Sequence, residues 1–112
     1  MIIFNTTYHV ADAVKDDFIA WLRSEYEPRA TAERLLLVPQ LTRIIGSERD
    51  GGASYALQFR AMSVNSLEIW QHTTGNQLAK DLTRRFGNNV VGFATLLEKI
   101  DVYPQNTKRH DT

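Results

Sequence analysis

Apolar and β-branched side chains open the chain, in Ile2-Ile3-Phe4-Asn5-Thr6-Thr7-Tyr8-His9-Val10, with no Gly or Pro among them. That run predicts a strand over residues 2–10. Its period of two gives two faces: Ile2, Phe4, Thr6, Tyr8 and Val10 on one, Ile3, Asn5, Thr7 and His9 on the other. The period then changes. Val14, Phe18, Trp21, Leu22 and Tyr26 recur at spacings of three and four, which predicts a helix over residues 12–27. Asp12 is placed to cap it, and Asp16 and Asp17 lie where the N-terminal dipole favours negative charge. Pro28 should stop it, because the residue before a proline is pushed out of the α region.

A polar connection over 29–34 leads to a second strand over 36–48. Pro39 cannot donate to a ladder, so this strand belongs at a sheet edge or carries a bulge. Asp50-Gly51-Gly52 between two apolar runs is a hairpin signal. A third strand over 53–62 alternates Tyr55, Leu57, Phe59 and Ala61 against Ser54, Ala56, Gln58 and Arg60. Ser63 caps a second helix that carries Leu67, Trp70, Thr74, Leu78, Leu82 and Phe86 on one stripe. Thr73-Thr74-Gly75-Asn76 predicts a kink or brief break within it. Gly87 suits a left-handed cap, and a fourth strand follows over 90–101. Residues 104–112 have no apolar anchor and are expected to be a disordered tail on a domain spanning 1–103.

The order βαββαβ predicts an α+β, ferredoxin-like fold: a four-stranded antiparallel sheet with two helices on one face. Its other face must meet water or a partner, and water would demand clear alternation with polar residues. The last strand instead sets Val90, Ala94, Leu96 and Ile100 against Val91, Phe93 and Leu97. The second sets Leu37, Leu41 and Ile45 against Val38 and Ile44. A bare apolar patch of several hundred square ångströms is rare, so a homodimer with facing sheets is expected. Size points the same way, since so small a domain buries only about two-thirds of its unfolded surface.

Composition narrows the partners and the chemistry. The 112 residues hold 13 basic and 13 acidic side chains and no cysteine. Disulfides, thiolate nucleophiles and cysteine-held metals are excluded. The densest basic groups, Arg84-Arg85 and Lys108-Arg109, are too sparse for a nucleic-acid footprint. The longest aliphatic run, Leu35-Leu36-Leu37-Val38, is far short of the roughly 20 residues of a membrane span. With no basic leader ahead of Ile2, the expected location is the cytoplasm.

Several segments together resemble a known family. They are Ile2 to Thr7, Phe18-Ile19-Ala20-Trp21-Leu22, Glu25-Tyr26-Glu27-Pro28, Gly51 to Phe59, Arg85-Phe86-Gly87 and Phe93 to Leu97. The chain resembles, over about residues 1–102, a bacterial domain-of-unknown-function family within the dimeric α/β-barrel superfamily. The resemblance implies two ferredoxin-like sheets closing a barrel across a dimer. Members of that superfamily include cofactor-free monooxygenases, polyketide cyclases, haem-degrading enzymes, muconolactone isomerases, stress-response barrels and binding modules. Relatives often carry a histidine just before the proline of the first helix, where this chain has Tyr26. A phenol of pKa about 10 suits acid–base work near neutral pH far less than imidazole.

No two of His9, His72 and His110 share the spacing of a metal site, and neither metal nor cofactor is expected. His72 lies near the expected helix break, where function often gathers. Asn5, Thr7 and His9 share one face of the first strand, with Gln58, Arg60 and Thr95 able to reach the same space. Polar groups converging on an apolar cavity are how small-ligand sites are built. The same groups can equally satisfy one another or hold buried water. Trp21, Trp70, Tyr55 and Phe59 read as core aromatics. The chain is thus expected to be a homodimeric barrel that is structural or binds a small, largely apolar molecule. The alternative is a cofactor-independent monooxygenase, cyclase or isomerase for an aromatic or polyketide-like substrate.

Overall fold

The computed structural model describes residues 1–103, so the expected tail over 104–112 lies outside the described residues. Strand β1 (Ile2–Ala11) leads into a helical segment, α1, that runs without a break over residues 12–31. Strands β2 (Leu37–Arg43) and β3 (Gly52–Ala61) follow, then the helical segment α2 over residues 64–86 and strand β4 (Val90–Glu98). The sheet is antiparallel in the order β2-β3-β1-β4. This is the α+β, ferredoxin-like arrangement.

The period of two in β1 sets the layers. Phe4, Tyr8 and Val10 are buried, as are Ala53, Tyr55, Leu57, Phe59 and Ala61 of β3. They meet Phe18, Trp21, Leu22, Tyr26 and Ala30 from α1 and Leu67, Trp70, Leu78, Leu82 and Phe86 from α2. Trp21, Trp70, Tyr55 and Phe59 are core aromatics, as their spacing predicts. Ser63 caps α2 by accepting a hydrogen bond from the Ser66 amide at 3.1 Å. Pro39 lies on the edge strand, beside a register shift between Leu37 and Gln40. Asp50 and Gly51 turn the hairpin with φ of 50° and 72°, the pair of positive angles that a two-residue turn requires.

Local expectations fail in several places, with physical reasons. Asp12 does not cap α1: the capping position is Ala11, with no side-chain bond, and Asp12 stands in the first turn of a 3₁₀ start. Pro28 does not end α1. The segment Leu22–Tyr26 widens into a π turn, where the Glu27 amide donates to the Leu22 carbonyl, and the α-helix resumes over Glu27–Thr31. The widened turn shifts the hydrogen-bond register just before the proline, so its missing N–H and its ring are accommodated within the helix. The expected kink or break in α2 is a second π turn, Gln71–Gly75, closed by the Asn76 amide on the Gln71 carbonyl. Thr73 Oγ1 donates to the Ile69 carbonyl at 2.9 Å there, occupying an acceptor beside the widened turn. Gly87 has the expected positive φ of 56°, but its ψ of −135° is extended, outside the left-handed helical region. Strands β2 and β4 end earlier than their apolar patterns, at Arg43 and Glu98, because the ladder to their neighbours stops there.

The two helical segments are clamped on their outer side. Asp81 accepts from Arg29 at 2.8 Å, Arg84 at 2.8 Å and Gln77 at 3.0 Å. Arg29, then Gln77 and Arg84, hold its carboxyl below the ordinary carboxylate range. A depressed folded pKa means stability that is present above the unfolded value of 3.8 and is lost as pH falls through the folded one. Asp81→Asn is therefore expected to lower Tm near neutral pH. The gap from wild type should close below pH 3.8, checked by thermal melts across the acid range. A gap that is constant with pH would show that Asp81 acts through packing alone.

Candidate functional site

The open face of the sheet carries most of the polar residues singled out by pattern. Asn5 is paired in register with Gln58 on β3 and Thr95 on β4. Its amide donates to Thr7 Oγ1 at 3.1 Å, and Gln58 Nε2 donates to Asn5 Oδ1 at 3.2 Å. Asn5, Thr7 and Gln58 thus satisfy one another, with half-buried Thr95 beside them. Arg60 is exposed further along the same face. His9 stands at the far end, next to Ser54 and Val91 in register, with both ring nitrogens buried and unpartnered. His72 is not part of this row: it is exposed on the π turn of α2, across the helix layer.

A second arrangement lies on the helix side of the sheet, around Trp70, which the sequence marks as a core aromatic. Helix α2 does not cover β4 fully, and a cleft of about 440 Å³ opens between them. Phe4, Thr6 and Tyr8 of β1 and Tyr26 of α1 form its floor; Trp70, Gln71, Gly75, Ala79 and Leu82 of α2 form one wall. Val90, Gly92 and Ala94 of β4 form the other, and Thr83, Gly87 and Asn88 the mouth. Small residues keep it open. A Cβ on Gly92 would lie 2.6 Å from Tyr8 Cδ1, and one on Gly75 would lie 2.5 Å from Trp70 Cζ3.

Both π turns border this cleft. One ends on Tyr26; the other supplies Gln71 and Gly75. Such turns often mark functional places in helices. Their sequence signals were present as anomalies: a proline inside a helical period, and Thr-Thr-Gly inside another. Tyr8 is fixed by edge contacts with Phe18 at 5.3 Å, and Tyr26 by Trp21 at 5.7 Å and by stacking on Phe59 at 6.3 Å.

The chemistry of the floor is that of neutral phenols. Burial pushes the Tyr8 phenol up, partly offset by the neighbouring Tyr26 and Thr6 hydroxyls. Burial pushes Tyr26 well above its ordinary range, reinforced by the neighbouring Tyr8. Both remain protonated at physiological pH. The lining holds no carboxylate, imidazole or cationic side chain. A larger hollow of about 480 Å³ on the outer surface is lined by Trp21, Ser24, Glu25, Arg29, Asp81, Arg84 and Arg85. Its carboxylate Asp81 is committed to the interhelical clamp.

Among the described residues no group of three or more His, Cys, Asp or Glu side chains is placed to hold a metal ion, and no helix is long and apolar enough to cross a membrane.

Known structures share this fold. A candidate antibiotic biosynthesis monooxygenase from Deinococcus radiodurans superposes with a TM-score of 0.68 at 13% identity, covering 93% of this chain and 97% of that one. An ethyl tert-butyl ether D (EthD) family protein from Bacillus halodurans gives 0.62 at 15% identity, covering 89% and 100%. A candidate antibiotic biosynthesis monooxygenase from Bacillus cereus gives 0.54 at 14%, covering 91% and 97%. At these identities the likeness is one of fold. No curated protein matches the sequence. The family model described as a domain of unknown function, DUF4286, matches residues 1–100, and the chain belongs to that family.

Proposed function

We propose that each protomer binds a neutral, largely apolar small molecule in the cleft between α2 and β4, and that the working unit is a cytoplasmic homodimer. The observation that carries this is the cleft itself. It has aromatic and aliphatic walls, small residues that keep it open, and a buried pair of protonated hydroxyls at its floor. Apolar enclosure with a few placed polar groups is the usual composition of a small-ligand site. A charged ligand would lose its hydration there without meeting an opposite charge.

The dimer reading rests on the open face, where Phe93 is 65% exposed and Val91 51%. Two sheets facing each other would cover these side chains and enclose the row of Asn5, Thr7, His9, Gln58, Arg60 and Thr95. Native mass spectrometry of the purified protein tests both parts. A mass of twice 12.8 kDa plus a co-purifying molecule is expected. A bare monomer at micromolar concentration would overturn the dimer. Phe93→Glu is expected to weaken association by about a hundredfold, because a two-fold interface buries the new charge twice. Sedimentation equilibrium reads that loss.

A second reading is cofactor-independent oxygenation, cyclisation or isomerisation of an aromatic or polyketide-like substrate in the same cleft; two neighbours named as antibiotic biosynthesis monooxygenases agree with it at the level of fold. Turnover of a bound aromatic compound, followed by oxygen uptake and product mass, separates catalysis from binding.

A further inference from the structure

We propose that the side-chain amide of Gln71 is the specificity-determining group of the cleft, selecting a neutral aromatic ligand that carries an N–H donor beside a carbonyl acceptor, as a lactam does. This rests on the reading of the cleft as a ligand site and names the class of ligand. The polar side chains of the lining are few. The Trp70 indole N–H is given to the Ala30 carbonyl at 2.9 Å. Thr83 and Asn88 stand exposed at the mouth. The hydroxyls of Thr6, Tyr8 and Tyr26 can turn to donate or to accept, so they discriminate little between ligand groups. An amide differs, because its donor end and its acceptor end are distinct.

Gln71 opens the π turn of α2, and that turn seats its amide. One Nε2 proton goes to Asn76 Oδ1 at 3.3 Å. At the other end Oε1 lies back over Gly75, where a Cβ would stand 2.7 Å from it. The widened turn brings these residues together, since the Asn76 backbone N–H donates to the Gln71 carbonyl. The missing Cβ that spares the Trp70 ring thus also leaves room for Oε1. Among the described residues the second N–H and Oε1 have no protein partner, and both belong to a side chain of the cleft wall. A ligand with an N–H and a carbonyl satisfies both ends. One with neither displaces water from them and returns nothing. No charged side chain lines the cleft, so the matching group is neutral.

The probes are 2-quinolinone and naphthalene, alike in ring size, of which only the first carries a lactam. Isothermal titration calorimetry on the full chain compares wild type with Gln71→Met, which keeps the length of the side chain and removes both polar ends. Gln71 is exposed, so the core is left intact. The substitution should weaken 2-quinolinone binding about tenfold, the worth of two partly solvated hydrogen bonds, and leave naphthalene within about twofold. Asn76→Ala frees the amide from its seat and should cost 2-quinolinone about threefold through lost preorganisation, with naphthalene again unchanged. An unchanged 2-quinolinone affinity in Gln71→Met overturns the proposal, while naphthalene binding keeps the cleft reading standing. An equal loss for both probes also overturns it, since Gln71 would then only shape the wall. An Asn76→Ala variant that binds 2-quinolinone as wild type does overturns the seating of the amide. If neither probe binds wild type, the cleft reading falls and this one with it.

Discussion

Replacing Trp70 with alanine should lower the unfolding free energy by about 3–5 kcal/mol, the range for truncating a buried large aromatic. The side chain is 2% exposed and packs edge-on against Phe4 at 5.6 Å. It is also the buried polar link between the two helical segments, through its N–H on the Ala30 carbonyl at 2.9 Å. Ala30 is itself 1% exposed, so losing the donor leaves a carbonyl in the core with no water to replace it. Trp70→Phe separates the two contributions. It keeps most of the ring and removes only the N–H, with an expected cost of about 1–3 kcal/mol. Since a small domain has a total stability of only about 5–15 kcal/mol, Trp70→Ala should bring the chain close to unfolding. Urea denaturation with Trp21 as the remaining fluorophore measures both variants. An alanine variant within about 1 kcal/mol of wild type would mean that the core around α2 collapses to fill the gap.

The layers of the fold were legible because a strand has no choice about which face each residue takes. Once Phe4, Tyr8 and Val10 pack inward, Asn5, Thr7 and His9 must point the other way, and Asn5 meets Gln58 and Thr95 in register. Asp50-Gly51 and Pro39 were legible for a similar reason, since each residue type fits few backbone conformations. Helix ends were less so. The rule that stops a helix before Pro28 assumes an uninterrupted α register, and a π turn over Leu22–Tyr26 changes that register one residue earlier. The cleft was hidden for another reason. It is made by what Gly75, Gly92 and Ala79 lack, and an absent side chain leaves no periodic mark. Tyr8 and Tyr26 were visible as apolar-face residues, yet their meeting depends on long-range packing of β1 against α1.

Gly75→Ala is the sharpest test of that hidden design, because two familiar effects oppose each other there. Gly75 has ordinary helical angles, φ −61° and ψ −42°, so an alanine would meet no backbone strain. Helix propensity alone predicts a gain of about 1 kcal/mol. Sterics predict the reverse: the new Cβ would lie 2.5 Å from Trp70 Cζ3, 2.9 Å from Cε3 and 2.7 Å from Gln71 Oε1. Gln71 can move, but the Trp70 ring is buried and tied to Ala30, so it can yield only toward the cleft it lines. Overpacking of this kind costs about 1–3 kcal/mol, and a net loss within that range is expected, with the shifted indole also intruding on the cleft. The double variant with Trp70→Phe isolates the cause. A phenyl ring lacks the outer atoms of the indole that the Cβ would strike. On that background Gly75→Ala should be neutral or stabilising, so that the sign of one substitution is reversed by the size of the ring it touches. Persistence of the same penalty in both backgrounds would place the role of Gly75 in the π turn itself, with no part played by the indole.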